Sequence, residues 1–177
     1  MKNIIIVVLT IIGMCVYAQK NLPFEPAVMR KLSGSEIAIP GDVKGKYTIL
    51  FLAFSEKSKE SLVTWAEPVW NTFMVKNPLN IDPYDVNLYM GVMLFGFTQL
   101  AMPEVEKMLR KSFNPDWHPY ILIHKGSLKP YSDEPDFKKR HVAHIFLFDD
   151  KGNLLLHETG DYAPDKLQKI QTLIEGE

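Results

Sequence analysis

Residues Lys46–Phe73 constrain the fold more than any other stretch. They open on an apolar run, Tyr47-Thr48-Ile49-Leu50-Phe51-Leu52-Ala53-Phe54. That run is long enough for a strand buried on both faces, as in the middle of a mostly parallel sheet. Ser55-Glu56-Lys57-Ser58 follows as a polar turn with good N-cap residues. From Lys59 to Phe73, the residues Leu62, Trp65, Ala66, Val69 and Phe73 recur at helical spacing. Pro68 falls inside this helix and is expected to kink it or break it in two. A buried strand, a short turn and an amphipathic helix form the first half of a βαβ unit. Ligands of such sheets gather outside the carboxyl ends of the strands. The turn after Phe54 is therefore where a site belongs.

The N-terminus reads as an export signal over residues 1–18. Lys2 gives a positive start, Ile4–Met14 an apolar segment, and Val16-Tyr17-Ala18 a cleavage site before Gln19. The apolar segment is short for a membrane span, and an uncleaved anchor is the alternative. Lipid attachment at Cys15 needs a small residue before it, where Met14 stands. Cleavage leaves one domain, residues 19–177, in the periplasm or outside the cell, with no membrane span. It also removes Cys15, the single cysteine of the 177 residues. The mature chain then forms no disulfide and performs no cysteine redox chemistry. A formal net charge of -1 gives no reason to expect nucleic acid or an anionic membrane as partner.

The rest of the chain alternates. Gln19–Gly45 reads as an irregular arm with one short edge strand near Glu36–Ile39. Val86–Leu94 is a second apolar strand. Thr98 is an N-cap for a helix reaching about Phe113, with Pro103 in its first turns. Tyr120–His124 is a short strand, and Lys125–Arg140, with Pro130 and Pro135, a long loop. His144–Phe148 and Asn153–Thr159 make a hairpin around Asp149-Asp150-Lys151-Gly152. Ala163–Ile174 is a terminal helix with Leu167, Ile170, Leu173 and Ile174 on one stripe. The order predicts an α/β protein, a three-layer α/β/α sandwich with a mixed central sheet.

Two stretches carry a family resemblance: Gly45-Lys46-Tyr47 leading into Ile49–Phe54, and His144-Ile145-Phe146-Leu147-Phe148-Asp149-Asp150-Lys151-Gly152-Asn153, after which the chain returns to Gly160. Over Leu22–Ile174 the chain resembles the thioredoxin-like superfamily, in its redoxin and peroxiredoxin-like branch. Trp65-Ala66-Glu67-Pro68 is also similar to a feature of the thioredoxin-fold assembly factors of mitochondrial ATP synthase. The resemblance implies one or two cysteines at the start of the first helix, where this chain has Ser55-Glu56-Lys57-Ser58-Lys59. It also implies a cis-proline before the late hairpin, where this chain has Val142-Ala143. A cis bond to a non-proline residue costs about 3–4 kcal/mol, so a trans bond is expected. Both halves of the redox site are missing, and no catalytic residue, cofactor or metal ligand is assigned.

What remains is a candidate binding cleft made by Ser55, Glu56, Lys57, Ser58 and Lys59 on one wall and Val142, Ala143 and His144 on the other. The helix start offers free N–H groups, the two lysines add charge, and His144 donates from the far wall. A protein or peptide partner is the expected occupant. The alternative is an enzyme with non-thiol chemistry near Ser58 and His144. A serine there is either a cap or a nucleophile, and the second role needs a base such as His141 or His144 within reach. His141 and His144, joined by His118, His124 or His157, are weighed as a metal site, but no carboxylate or cysteine sits at ligand spacing. A second candidate surface is the loop with Tyr131, Phe137, Lys138, Lys139 and Arg140, which reads either as solvated or as partner-binding. Trp65, Trp70 and Phe73 read as core. Met90, Met93, Phe95 and Phe97 read as a buried strand and its exit.

Overall fold

The computed structural model describes residues 24–75, 84–127 and 135–176. The export segment and Tyr131 lie outside them. Among the described residues, no helix is long and apolar enough to cross a membrane.

Seven strands form one mixed sheet. They are β1 (Ala27–Lys31), β2 (Glu36–Ile39), β3 (Tyr47–Ala53), β4 (Val86–Leu94), β5 (Ile121–Lys125), β6 (His144–Phe148) and β7 (Leu154–Thr159), in the spatial order β2-β1-β5-β4-β3-β6-β7. The apolar run at Tyr47 is the central strand, parallel to β4 and antiparallel to β6. Its residues Ile49 to Ala53 have no exposed surface, as a strand covered on both faces requires. β1 lay hidden in the expected irregular arm. Only alternate residues of it are buried, a half-buried pattern that is short and preceded by Pro23 and Pro26.

Three α-helices share one face of the sheet: α1 (Glu56–Phe73), α2 (Met102–Ser112) and α3 (Pro164–Glu175). Trp65, Val69 and Phe73 of α1 and Leu167 and Ile170 of α3 pack on Ile49, Phe51, Ile145 and Leu147. Leu109 of α2 packs on Ile121 and Ile123. The opposite face, with Leu50, Leu52, Phe146 and Phe148, is covered by Phe24 and by the 3-10 segments Gly41–Val43 and Pro135–Lys138. The far layer of the sandwich is thus built from short segments.

Two helix expectations are corrected. Pro68 does not divide α1, which runs unbroken through 18 residues. Trp65 and Val69, on either side of it, are fully buried, and this packing holds the helix through the one missing N–H. Thr98 does not cap α2. Its hydroxyl bonds both backbone groups of Phe95, closing a 3-10 turn over Gly96–Ala101 that precedes the helix.

Candidate functional site

The start of α1 is closed by its own side chains. Ser55 is the N-cap: the Ser58 N–H donates to Ser55 Oγ at 3.2 Å. Ser58 completes a reciprocal capping box. Its Oγ accepts from the Phe54 and Ser55 N–H groups, each at 2.8 Å, and donates to the Ser55 carbonyl at 2.9 Å. The hydroxyl is buried and saturated. No hydrogen bond joins Ser58 to His144, so the expected nucleophile and base do not meet.

Serines also stitch α1 to the segment before β6. Ser55 Oγ donates to the Arg140 carbonyl at 2.7 Å, and Ser61 Oγ accepts from the Ala143 N–H at 3.1 Å. Trp65 Nε1 donates to the Gly160 carbonyl, and the Gly160 N–H to the Ala143 carbonyl, both at 2.9 Å. Gly160 takes φ +100° here, where glycine is at ease. The Ala143 backbone therefore has partners on both sides, and its peptide bonds are trans.

His144 is not a cleft wall. It is fully buried, with Nε2 3.2 Å from the Lys139 carbonyl and Nδ1 3.0 Å from His157 Nε2. A carbonyl only accepts, so the Lys139 contact assigns the hydrogen to Nε2. Phe137 is a further correction. It was expected on a binding loop, but it is buried and stacks on His144 and His157 with centroids 5.4 and 5.0 Å away. Lys138, Lys139 and Arg140 stay exposed, and the Arg140 guanidinium lies 5.6 Å from the Phe95 ring centroid.

The open part of the cleft is a hollow of about 400 Å³. Lys57, Glu60, Ser61 and Thr64 of α1 line it on one side, His141, Val142 and Asp161 on the other. Of the expected cleft, it keeps Lys57 and Val142. Ser58 and Ala143 are buried, and His144 lies on the opposite face of the sheet, among Phe54, Phe137 and Phe146. Lys59 points elsewhere, because two positions along a helix turn the side chain to another face; it pairs with Glu56 at 2.6 Å. Glu60, Ser61, Thr64 and Asp161 were missed. Asp161 follows Gly160, and only the tertiary fold brings it beside α1. Ser61, His141 and Asp161 share this hollow, yet no hydrogen bond joins any two of them. Lys57 has no ion-pair partner among the described residues. The hollow sets Lys57 against two carboxylates, Glu60 and Asp161, so its lining is polar and of mixed charge.

The histidines do not converge. His118 Nε2 contacts the Phe113 carbonyl and His124 Nδ1 the Val28 carbonyl, far along the sheet from His144. Among the described residues, no group of three or more His, Cys, Asp or Glu side chains is placed to hold a metal.

No protein-family model and no curated protein matches the sequence. Solved structures do match the fold. StoA from Bacillus subtilis is similar at 17% identity and TM-score 0.50, over 85% of this chain and 98% of that one. The exposed lipoprotein thioredoxin of Streptococcus pneumoniae is similar at 16% and 0.54, over 83% and 98%. BsSco, of the Sco family of cytochrome c oxidase assembly proteins, is similar at 14% and 0.54, over 90% and 97%. The fold of this chain is thioredoxin-like.

Proposed function

We propose that this chain is an exported, redox-inactive thioredoxin-like protein that works by binding, as an assembly or chaperone-type accessory module for a partner protein or peptide. One observation carries the reading: Ser55 and Ser58 stand at the start of α1 and spend their hydroxyls on main-chain groups. No thiol stands there to exchange with a disulfide. The neighbouring hollow, where Lys57 has no ion-pair partner among the described residues, supports capture of an acidic or carbonyl-bearing group. BsSco, which shares the fold, belongs to a family of assembly proteins. An export signal over residues 1–18 agrees with a periplasmic or secreted location.

Insulin reduction and peroxide consumption test the redox part; neither should exceed a no-protein blank. Turnover above it, in a preparation free of reductase, overturns the reading. Mild cross-linking of the native protein should recover a defined partner, and N-terminal sequencing should start at Gln19. Intact Met1 recovered from the cytosol removes the export part.

A further inference from the structure

A second concavity lies on the other side of α1, between α1 and α2. It is a trough in three joined parts of about 190, 230 and 380 Å³. Successive turns of α1 border successive parts: Ser55 and Lys59 the first, Lys59 and Leu62 the second, Leu62 and Ala66 the third. From Lys59 to Ala66 the helix advances about 10 Å, and from Lys59 to Trp70 about 16 Å. The floor is β4, through Met90 and Val92. Val63 and Met108 stand on the two rims, 64% and 43% exposed. Trp117, stacked on Trp70 at 4.2 Å, closes the far end.

The second and third parts are lined almost wholly by apolar residues, whereas the first also carries Ser55, Glu56 and Thr98; among the described residues Lys59 is the one cation along the trough. Its side chain is only 23% exposed, and its ion-pair partner Glu56 is 82% exposed. With Glu56 so open to water the pair is weak, and Lys59 re-partners readily. Lys59 thus stands where the first part meets the second, and from it an apolar slot runs through the second and third parts to the aromatic rings at the far end. The size of the trough falls within roughly 300–1,000 Å³, the range of small-molecule sites.

We infer that the trough binds a medium-chain fatty acid, with the carboxylate on Lys59 and the alkyl tail running over Met90 to Trp117. A fully extended chain advances about 1.2 Å per bond, so the slot fits about eight to thirteen carbons. This site is independent of the cleft beside Lys57. Its occupant is a free single-chain acid, one carboxylate for the one ammonium in the described lining.

The test uses 11-bromoundecanoate, whose terminal bromine should reach Trp117 and quench tryptophan emission. Saturable quenching at micromolar concentration, reversed by decanoate, is expected. Val63→Glu, on an exposed rim, should abolish it without unfolding the chain. Lys59→Gln should weaken the acid at least tenfold while leaving binding of 1-undecanol unchanged. Quenching that appears only above the micelle concentration, or that survives Val63→Glu, overturns the assignment. Equal loss of acid and alcohol in Lys59→Gln also overturns it. Dimerisation that Val63→Glu removes, without quenching, gives the trough to a second copy of the chain instead.

Discussion

Ser55 Oγ lies 3.3 Å from Ser58 Oγ at the first turn of α1. The two residues sit three apart, and each caps the other's backbone. Removing the Ser58 hydroxyl takes the acceptor away from the buried Phe54 N–H and from the partly buried Ser55 N–H. An unsatisfied buried donor costs about 1–3 kcal/mol, and a lost cap about 0.5–2 kcal/mol. Ser58→Ala should therefore destabilise the fold by about 2–3 kcal/mol in urea titration. A loss below about 0.5 kcal/mol would show that the hydroxyl is replaceable by water.

The same spacing suits a disulfide. Paired cysteines need Cβ atoms about 3.5–4.5 Å apart, and hydroxyl oxygens at 3.3 Å imply side chains already turned toward each other. The double variant Ser55→Cys, Ser58→Cys should lose two titratable thiols on mild oxidation. Retention of both thiols after oxidation would mean that the turn is too rigid to close.

Much of the fold was legible because its apolar runs are long and continuous. Tyr47–Phe54, Val86–Leu94 and His144–Phe148 are covered by neighbours on both faces, so burial shows in the sequence itself. β1 was not legible, since half its residues face water. Phe137 was misread for the opposite reason: a lone aromatic beside Lys138, Lys139 and Arg140 looks like a surface loop. Its burial depends on Phe54 and His157, which are far away in the chain, and on His144 across the turn that precedes β6. The strand-turn-helix order pointed to the turn after Phe54, and a hollow lies beside the helix that follows it. The lining of that hollow was not legible, because orientation around α1 and the approach of Asp161 are set by packing.

Phe137 now serves as a stability probe. It stacks on Phe146 with centroids 5.7 Å apart as well as on the two histidines. Truncating a buried phenylalanine costs about 3–5 kcal/mol. Phe137→Ala should fall in that range by urea denaturation. A near-neutral change would return Phe137 to the surface loop.

Asp149 gives the hairpin an acid dependence. Burial pushes its carboxyl up, but hydrogen bonds from the Asn153 amide and from the Asn153 and Lys151 N–H groups, with the Lys151 charge, outweigh burial. The group ends below its ordinary value of 3.8. The unfolded chain lacks these partners and takes up the proton at higher pH. The stabilisation is complete above the unfolded value and is lost as pH falls through the lower folded one. Asp149→Asn should lower the urea midpoint at pH 7, and the gap to the parent should narrow at pH 2. An equal gap at both would assign the effect to turn shape alone.

Lys57 and the basic run compete as the partner-binding surface. Lys57 is exposed and unpaired among the described residues, so reversing it leaves the fold untouched. Charge-assisted hydrogen bonds contribute roughly 1.5–3 kcal/mol each. Lys57→Glu should thus weaken partner capture at least tenfold, with the thermal midpoint nearly unchanged. Lys59→Glu, on the trough side of α1, should not weaken it. Lys138→Glu with Lys139→Glu tests the rival loop without disturbing Arg140, whose guanidinium rests over Phe95. If the loop pair abolishes capture and Lys57→Glu does nothing, partners dock on the 138–140 surface and the cleft beside His141 is not the binding site.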